Sequence, residues 1–519
     1  MNNYVEQIII VGGGTAGWLS AGLLAAEFKK NNSPIKVALI ESPDVSTIGV
    51  GEGTWPSMRV TLRTIGISET DLVRECFASF KQGSKFVGWR TGAPNDFYYH
   101  PFSMPVGNSL RDSVAMWKTF FPHKRYDEIT NIQSRICEEG LAPKQLSTPE
   151  YAGVLNYGYH LDAGKFAELL KSHCINNLGV TYIRDHVIAI NSSDNGDVAS
   201  LNTQHHGAIS GDLFIDCSGT HCLLIGEHFN IPFIDARAYS MNDRALAVQV
   251  PYATADAPVA SATIATAHTT GWTWDIGLSS RRGIGYVYSS SHASDEQAGD
   301  SLVAYLRQTI DESAIRSLNF RTLSIKPGYR EKFWHRNCVA VGMAAGFIEP
   351  LEASALALVE LSVSMIRDEL PQSAVAMDIV ARRFNQVFTY RWQRIIEFLK
   401  LHYVLSERRD SEYWQDAVNP AAIPDGLKEL LELWRRRIPY ERDLLHTEEI
   451  FPAASYLYVL YGMGFSTELS TKGSALSELE KSKLLFDDDY KKFDRYAVAV
   501  TSTRKLLSSI MQSGLKKSN

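Results

Sequence analysis

The feature that most constrains the fold is a glycine-rich turn close to the start of the 519-residue chain. Residues 12–17 read GGGTAG, directly after an apolar run, Gln7–Val11, and at the start of a helical pattern, Thr15–Lys30. A second apolar run, Lys36–Glu41, follows. Strand, turn, helix and second strand predict a compact βαβ unit, so we expect an α/β domain in the N-terminal part.

The turn also predicts a kind of ligand. Its glycines fit the GxGxxG spacing, in which the first permits a tight turn, the second lets the backbone approach a pyrophosphate and the third allows close helix–strand packing. The N-terminus of the following helix favours phosphate. The binding candidates in this turn are Gly12, Gly14, Thr15, Ala16 and Gly17.

Glu41 ends the second predicted strand, 24 residues after Gly17. An acid at this place accepts a hydrogen bond from a ribose hydroxyl, which favours an adenosine ribose without a 2′-phosphate. The turn and Glu41 together predict a dinucleotide site, and both FAD and NAD fit this pattern.

Composition excludes several other classes of protein. Hydrophobic residues make up 45% and charged residues 21%, as in ordinary soluble proteins, and the net charge of −6 argues against a broad nucleic-acid-binding surface. Six cysteines without a CxxC pair indicate reduced thiols in the cytoplasm. Residues 8–26 lack charge, but glycines interrupt them and no basic segment precedes them, so we expect neither a membrane span nor a signal peptide. No zinc, EF-hand or P-loop motif stands out, so we expect no metal.

Hydrophobic patterns further along predict how the fold continues. A helix and then short strands are predicted at 163–177, 180–184, 187–191, 213–217 and 337–341, with mostly strands between 245 and 290. Long helical patterns dominate after residue 351, at 374–406, 427–437 and 490–513. The sequence therefore predicts an α/β nucleotide domain with an antiparallel sheet, followed by a mainly helical C-terminal part.

Seven short segments after the turn carry further motifs. They read IGVGEGT at 48–54, FKQG at 80–83, HPF at 100–102, YHLDA at 159–163, FIDCSG at 214–219, WTWDI at 272–276 and GFIEPLE at 346–352. In this order they resemble the motifs of the flavin-dependent halogenases, best known from the tryptophan halogenases. The resemblance extends over nearly the whole chain.

The resemblance implies an α/β (α+β) fold and a reaction. A FAD-binding Rossmann-like domain with an added antiparallel sheet and interleaved substrate-site segments would span 1–370, and a helical domain over 371–519 would cap the substrate chamber. The enzyme would use FAD as FADH2, O2 and chloride or bromide to form hypohalous acid, which halogenates an electron-rich aromatic (tryptophan, indole or a related compound). Further cofactor-binding residues would be Gly49, Gly51 and Gly342.

The resemblance also implies partners. Since only one dinucleotide fingerprint is evident, a separate NADH-dependent flavin reductase is expected to supply FADH2. The other expected partner is the small aromatic substrate, and we expect no nucleic-acid or membrane partner. A cytoplasmic protein is expected, and its oligomeric state stays open between monomer and homodimer.

Two residues are implied to be catalytic. Lys81 would hydrogen-bond hypohalous acid as an ammonium, or form a haloamine if burial lowers its pKa; the alternative is a surface lysine, as we expect of Lys85. Glu352 would stabilise the positive charge that develops on the ring and accept the ring proton. Its alternative is an acid interacting with the dipole at the start of a predicted helix, and Glu349 is a weaker candidate.

The halide site is implied at the same helix N-terminus, at the amides of Ser354 and Ala355, where the family pattern has Thr-Gly. Trp272 and Trp274 alternate, so they share one face of a predicted strand. They are either two core tryptophans or the family's barrier between flavin and substrate. Gly277 stands where the WxWxIP motif has proline, which predicts a looser strand end.

The substrate is the least defined part of the prediction. Expected pocket residues are His100, Phe102, Trp272, Trp274, Phe451 and Tyr456. An ordinary packed pair is the alternative for His100 and Phe102. The C-terminal stretch does not reproduce the family's Tyr-Tyr…Glu…Phe-Trp arrangement for free tryptophan, which leaves the broader aromatic class. The competing functions are a FAD-dependent aromatic hydroxylase and a non-catalytic flavin-binding protein, and neither requires Lys81.

Overall fold

The computed structural model describes residues 4–44, 49–446, 448–468 and 476–517. They form two compact units, each assembled from three segments. Unit 1 comprises the described parts of Met1–Ala78, Leu161–Ala236 and Lys326–Trp392, and unit 2 those of Ser79–His160, Arg237–Ile325 and Gln393–Asn519. These units are defined by packing alone, which does not show where a ligand binds. The division into a flavin domain (1–370) and a capping domain (371–519) therefore stays a prediction.

The strands are short and spread over the first two-thirds of the chain. They are β1 Gln7–Val11, β2 Lys36–Glu41, β3 Glu52–Gly53, β4 Ser79–Lys81, β5 Gly83–Val87, β6 Phe97–Pro101, β7 Gly158–Leu161, β8 Thr181–Arg184, β9 Val187–Ser192, β10 Val198–Thr203, β11 Gly207–Ser210, β12 Leu213–Asp216, β13 Phe233–Asp235, β14 Arg244–Pro251, β15 Thr263–Ala267, β16 Gly271–Gly277, β17 Arg281–Tyr288, β18 Arg321–Ser324, β19 Gly328–Arg330, β20 Trp334–His335, β21 Cys338–Ala340 and β22 Gly346–Phe347.

The α-helices are between 5 and 31 residues long. They are α1 Thr15–Lys30, α2 Met58–Ile65, α3 Glu69–Glu75, α4 Leu110–Phe120, α5 Tyr126–Thr130, α6 Gln133–Glu138, α7 Ala163–Leu178, α8 Asp295–Leu306, α9 Glu312–Arg316, α10 Ala355–Asp368, α11 Ala374–Val404, α12 Glu412–Ala417, α13 Asp425–Arg436, α14 Ala453–Gly462, α15 Leu476–Ala499 and α16 Thr503–Ser513. The run from α11 to α16 confirms the mainly helical C-terminal part.

Unit 1 is built on a six-stranded sheet with the order β20–β21–β12–β1–β2–β8. Strand β1 runs parallel to β2 and β12, and Val11 lies opposite Ile40 on one side and Asp216 on the other. The carboxyl ends of these three strands therefore meet at one edge, where open α/β sheets bind their ligands. The predicted βαβ unit is confirmed with the predicted bounds.

Helix α1 is buried on most of its surface. It packs against β1, β2, α7 and α10, and apolar residues such as Trp18, Leu19 and Leu24 are fully buried. The uncharged stretch at 8–26 is therefore a buried strand and helix of the core. Within the described ranges, no helix is both long and apolar enough for a transmembrane segment.

Unit 2 contains a seven-stranded sheet with the order β18–β14–β17–β16–β15–β5–β6. Its neighbouring strands pair antiparallel except β5 and β15, which run parallel. Helix α8 buries Leu302 and Leu306 in a core that includes Ile284 of β17. The added antiparallel sheet, and with it the predicted fold class, is confirmed.

The prediction of one helix over 490–513 is wrong. Helix α15 ends at Ala499 and α16 begins at Thr503, because the Ser502 side chain caps α16 by accepting from the Lys505 N–H at 3.3 Å. The backbone between the two helices makes a hydrogen bond to a distant segment, since the Ala142 N–H donates to the Thr501 carbonyl at 3.0 Å. A local cap and a long-range backbone bond outweigh the helical pattern.

Candidate active site

The turn at 12–17 in unit 1 has the geometry that its glycines predict. A Cβ added at Gly12, whose φ is +118°, would lie 2.1 Å from the Cys217 carbonyl oxygen, and one at Gly17 would lie 1.9 Å from the Gly12 oxygen. Neither position accepts a side chain. At Gly14 an added Cβ would meet no atom within 4 Å, so the turn is open on that side.

The open side of the turn lies at the start of α1. Gly14 is the N-cap, and no side chain caps the helix. The N–H groups of a first helical turn have no partner within the helix, and they are suited to an anion such as a diphosphate. Gly342, with φ +70°, packs on this turn, since a Cβ there would lie 2.7 Å from the Cβ of Ala16.

Glu41 lies beside the turn, at the end of β2. A Cβ added at Gly13 would lie 2.3 Å from the Cγ and Cδ atoms of Glu41. The Oε2 atom of Glu41 accepts hydrogen bonds from Lys171 Nζ at 2.6 Å and from the Tyr182 hydroxyl at 2.7 Å. The structure therefore brings the predicted acid and the predicted turn together.

The loop before β3 holds the other two predicted glycines. Gly51 has a φ of +141°. A Cβ at Gly49 would lie 3.1 Å from the backbone nitrogen of Gly164 at the start of α7. Ile48, the first residue of the motif at 48–54, lies outside the described residues.

Glu352 occupies a strained turn. It was predicted at the start of a helix, but it lies in a 3₁₀ turn, Leu351–Ala353, and α10 begins only at Ala355. Glu352 and Ala353 have φ values of +65° and +54°, a left-handed backbone that costs non-glycine residues roughly 1–2 kcal/mol each. Such strain is found at functional sites when the surroundings hold it in place.

Contacts within unit 1 hold this turn and the helix that follows it. The indole Nε1 of Trp55 donates to the Glu352 carbonyl oxygen at 2.8 Å. On α10, Glu360 accepts from Ser57 Oγ at 2.8 Å and from Thr61 Oγ1 at 2.5 Å. Burial raises the pKa of Glu360 to about 7, although these two hydrogen bonds act to lower it.

Ser354 and Ala355 lie where a helix N-terminus was predicted to bind halide. Ser354 is the N-cap of α10, and its side chain makes no cap hydrogen bond. Their amides are thus at the first turn of the helix, which begins just after the strained turn that carries Glu352.

In unit 2, Lys81 ends β4 and is 1% exposed. Its Nζ atom lies 5.5 Å from the centroid of the Phe102 ring. Burial and then the Lys81 charge lower the pKa of nearby His160 well below its usual value, against the effect of a hydrogen bond with Gly277. Lys85 behaves as a surface lysine instead, because it is ion-paired with Glu138 at 2.7 Å and partly exposed.

Trp272 and Trp274 lie on β16 with their ring centroids 6.4 Å apart. Trp272 is buried, whereas Trp274 packs on Gly285 of β17, where a Cβ would lie 2.1 Å from the indole. At Gly277, the position of the family's proline, a Cβ would lie 3.1 Å from Tyr252 and Val259, so the strand end is closely packed rather than loose.

The other four predicted pocket residues do not all share the same neighbours. The Nε2 atom of His100 is 2.9 Å from Ser455 Oγ. Three of the rings surround Phe398: the centroid of its ring lies 5.9 Å from that of His100, 3.9 Å from that of Phe451 and 4.9 Å from that of Tyr456. Phe102 contacts Lys81 instead. Sequence reasoning missed Phe398, because a phenylalanine inside a long helical pattern carries no signal beyond core packing.

A cavity of about 440 Å³ lies beside the segment that follows Phe102. Ser103 and Met104 line it, together with Gln133, whose side-chain oxygen accepts from Ser103 Oγ at 2.8 Å. This volume is in the range of small-molecule sites.

Comparison with known proteins decides the family. A family model described as tryptophan halogenase matches residues 7–477. The chain belongs to the tryptophan halogenase family. It is a flavin-dependent halogenase, which confirms the predicted family and enzyme class.

Relatives of this halogenase resemble it over most of their length. It is 29% identical to tryptophan 6-halogenase SttH of Streptomyces toxytricini over 88% of this chain and 89% of that one. It is 30% identical to tryptophan 7-halogenase RebH of Lentzea aerocolonigenes over 84% and 83%. The crystal structure of a tryptophan halogenase from Shewanella frigidimarina superposes with a TM-score of 0.95, at 48% identity and with 99% of each chain covered.

The turn of this halogenase fits the adenosine diphosphate half of FAD. The open side at Gly14 leaves space for a diphosphate, and the uncapped N–H groups at the start of α1 can donate to it. The carboxylate of Glu41 can accept from the ribose. Among the residues that the structure describes, no cluster of metal-ligating side chains is present.

Several residues of this region carried no signal in the sequence. Trp55 and Glu360 were not predicted, because their partners lie 297 and about 300 residues away along the chain. Lys171 and Tyr182 were missed for the same reason. The one available signal was Glu360 itself, an acid inside the apolar run of α10.

Proposed function

We propose that the protein uses reduced FAD, O2 and chloride or bromide to halogenate an electron-rich aromatic of the tryptophan and indole class. The observation that carries the proposal is the burial of the Lys81 ammonium beside the ring of Phe102. Lysines are almost never fully buried unless they are paired, so Lys81 is not an ordinary surface lysine. A hydroxylase does not require a buried lysine. Relatives named as tryptophan halogenases support the substrate class.

The cofactor site is assigned to the turn, Glu41, Gly49, Gly51 and Gly342. Reduced FAD, when bound, supplies two electrons that convert O2, a halide ion and a proton into hypohalous acid, water and oxidised FAD. The backbone N–H groups of Thr15 and Ala16 hold the diphosphate, and Glu41 accepts from the ribose.

The halide is assigned to the amides of Ser354 and Ala355. They lie at the start of α10, where the helix dipole favours an anion. Because Glu352 and Ala353 have a left-handed backbone, the chain turns sharply just before these amides. The Trp55 indole stabilises that turn through the Glu352 carbonyl.

Lys81 and Glu352 are assigned to the halogenation step. The Lys81 ammonium donates a hydrogen bond to hypohalous acid and orients its halogen. The O–X bond breaks as the ring carbon takes the halogen, and the leaving hydroxide takes a proton from the Lys81 ammonium and departs as water. The amine recovers its proton from solvent, to which Glu352 releases the ring proton. Glu352 stabilises the positive charge on the ring and accepts its proton, so hypohalous acid and arene give haloarene and water.

Two further assignments concern the substrate and the reductant. Trp272 and Trp274 keep the organic substrate from the flavin, and His100, Phe102, Phe451 and Tyr456 define the aromatic surroundings of the pocket. A separate NADH-dependent flavin reductase supplies the reduced cofactor. Robust NADH oxidation by the purified protein alone would contradict this last assignment.

The proposal is tested with the purified full chain, FAD, NADH, a separate flavin reductase, oxygen and either bromide or chloride. Tryptophan, indole and substituted indoles are offered in parallel, and products are identified by mass spectrometry. We expect a product with the halogen isotope pattern, formed only when halide is present. A hydroxylated product that forms equally well without halide would assign the protein to the hydroxylases instead.

A further inference from the structure

The carboxylate of Glu41 is held from one side by two other residues of unit 1. Lys171 of α7 and Tyr182 of β8 both donate to Oε2, and Lys171 Nζ also lies 2.8 Å from the Tyr182 hydroxyl. Strand β8 pairs with β2, with Leu39 opposite Tyr182, so the sheet fixes the backbone that carries this hydroxyl. The three groups form a closed triangle of hydrogen bonds.

The ammonium of Lys171 is also held by aromatic rings. Its Nζ atom lies 4.0 Å from the centroid of the Tyr182 ring and 5.8 Å from that of Trp18. The Lys171 and Glu41 side chains are 32% and 22% exposed, so water reaches the pair only partly. Aromatic contacts and partial burial give this ion pair a defined geometry, which surface pairs commonly lack.

The other oxygen of Glu41 lies towards the turn. A Cβ added at Gly13 would be 2.5 Å from Oε1. The two oxygens of Glu41 therefore have different surroundings. Oε2 is bound to the lysine and the tyrosine, and Oε1 lies next to the glycine-rich backbone. A free carboxylate rotates between rotamers, whereas this one presents one oxygen to the ligand side.

We propose that Lys171 and Tyr182 are positioning residues for the adenosine ribose of the cofactor. They fix Oε2 of Glu41 so that Oε1 accepts from the ribose hydroxyls. The ammonium also offsets the negative charge that Glu41 adds close to the diphosphate, since two like charges at short range repel. The inference rests on the proposed cofactor role of the turn and Glu41.

Lys171 has an alternative role, in which it contacts the phosphate directly. A double-mutant cycle separates the two, because a residue that acts through Glu41 loses its effect once Glu41 is neutralised. The dissociation constants of ADP and FAD are measured by calorimetry with the wild type, Lys171→Met, Glu41→Gln and the double variant. ADP carries the adenosine and diphosphate alone, so its binding requires no turnover.

We expect Lys171→Met to weaken ADP and FAD by about five- to tenfold in the wild-type background, and by less than about twofold in Glu41→Gln. Lys165→Met is the matched control on the same helix, where Lys165 pairs with Glu168 at 2.9 Å, and its affinities should match the wild type. Tyr182→Phe keeps the ring and removes the hydroxyl, and should weaken both ligands by about threefold.

An equal loss in both backgrounds would show a direct phosphate contact and overturn the inference, as would unchanged affinity in Lys171→Met and Tyr182→Phe. Thermal melts identify a variant that does not fold, and Tyr182→Phe then provides the test. If the wild type binds neither ADP nor FAD, the proposed cofactor site fails. If it binds both and the variants do too, only the positioning role fails.

Discussion

The glycine-rich turn of unit 1 and the surroundings of Lys81 in unit 2 are constructed in different ways. The turn is made of backbone. An added Cβ would lie 2.1 Å from a carbonyl oxygen at position 12 and 1.9 Å from one at position 17, so only glycine fits at either position. The surroundings of Lys81 include side chains from separate segments, such as the ring of Phe102 and the imidazole of His160. A backbone site is therefore specified locally by residue type, whereas a side-chain site depends on long-range packing.

The largest effect on cofactor binding is expected where the backbone allows no side chain. Gly12→Val should reduce FAD affinity by more than about 100-fold, because the new side chain meets the Cys217 carbonyl and the φ of +118° suits only glycine. Flavin fluorescence quenching measures the affinity, and a thermal melt measures the fold.

Gly14→Ala is the matched variant on the open side of the same turn. Its Cβ meets no protein atom, so the melting temperature should not change while FAD affinity falls. If Gly12→Val bound FAD as tightly as the wild type, the turn would not be the cofactor site.

The next largest effect is expected on turnover, when a side chain assigned to the reaction is changed. Glu352→Gln should lower turnover by about 100-fold, because a neutral amide neither stabilises the cationic ring nor accepts its proton. FAD affinity and the melting temperature should stay as in the wild type, since the two side chains have the same shape. Glu349→Gln, at another buried acid of the same segment, should change turnover by less than about threefold. Unchanged turnover in Glu352→Gln would remove its catalytic role.

A smaller effect is expected on stability, through Glu360. Its pKa is raised to about 7 in the folded protein, so the native state binds a proton that the unfolded state releases above its ordinary value. This contribution is complete at low pH and is lost as pH rises towards neutrality, and it amounts to roughly 3–4 kcal/mol.

Glu360→Gln removes this titration. Relative to the wild type, the variant should therefore gain stability between about pH 5 and about pH 8 in urea unfolding. Glu168→Gln, at an exposed acid of the Lys165 pair, should follow the wild type at both values. Parallel pH profiles for the wild type and Glu360→Gln would contradict the buried-acid assignment.

The smallest effect concerns the donor that holds the strained turn. Trp55→Phe keeps an aromatic ring and removes the N–H group that bonds the Glu352 carbonyl, so turnover should fall by about fivefold. Trp117→Phe removes a similar bond to the Lys124 carbonyl and should leave turnover unchanged. Equal turnover in Trp55→Phe and the wild type would show that this bond does not position Glu352.

The same contrast explains what the sequence predicts well. The βαβ unit, the turn and Glu41 depend on residues close together in the chain, and their structure agrees with the prediction. The single helix over 490–513 and the helical position of Glu352 are wrong, because a serine cap and a left-handed turn outweigh the helical pattern. Trp55, Lys171 and Phe398 have no local signal, because their partners come from distant segments.

Flavin binding and halogen transfer are expected to depend on different residues of this enzyme. The most direct test measures FAD affinity and brominated product together for Lys81→Met, with Lys85→Met as the control at the partly exposed, ion-paired lysine. We predict that Lys81→Met binds FAD within about twofold of the wild type and forms at least about 1000-fold less product, while Lys85→Met keeps both. Brominated product at the wild-type rate from Lys81→Met would contradict this division between flavin binding and halogen transfer.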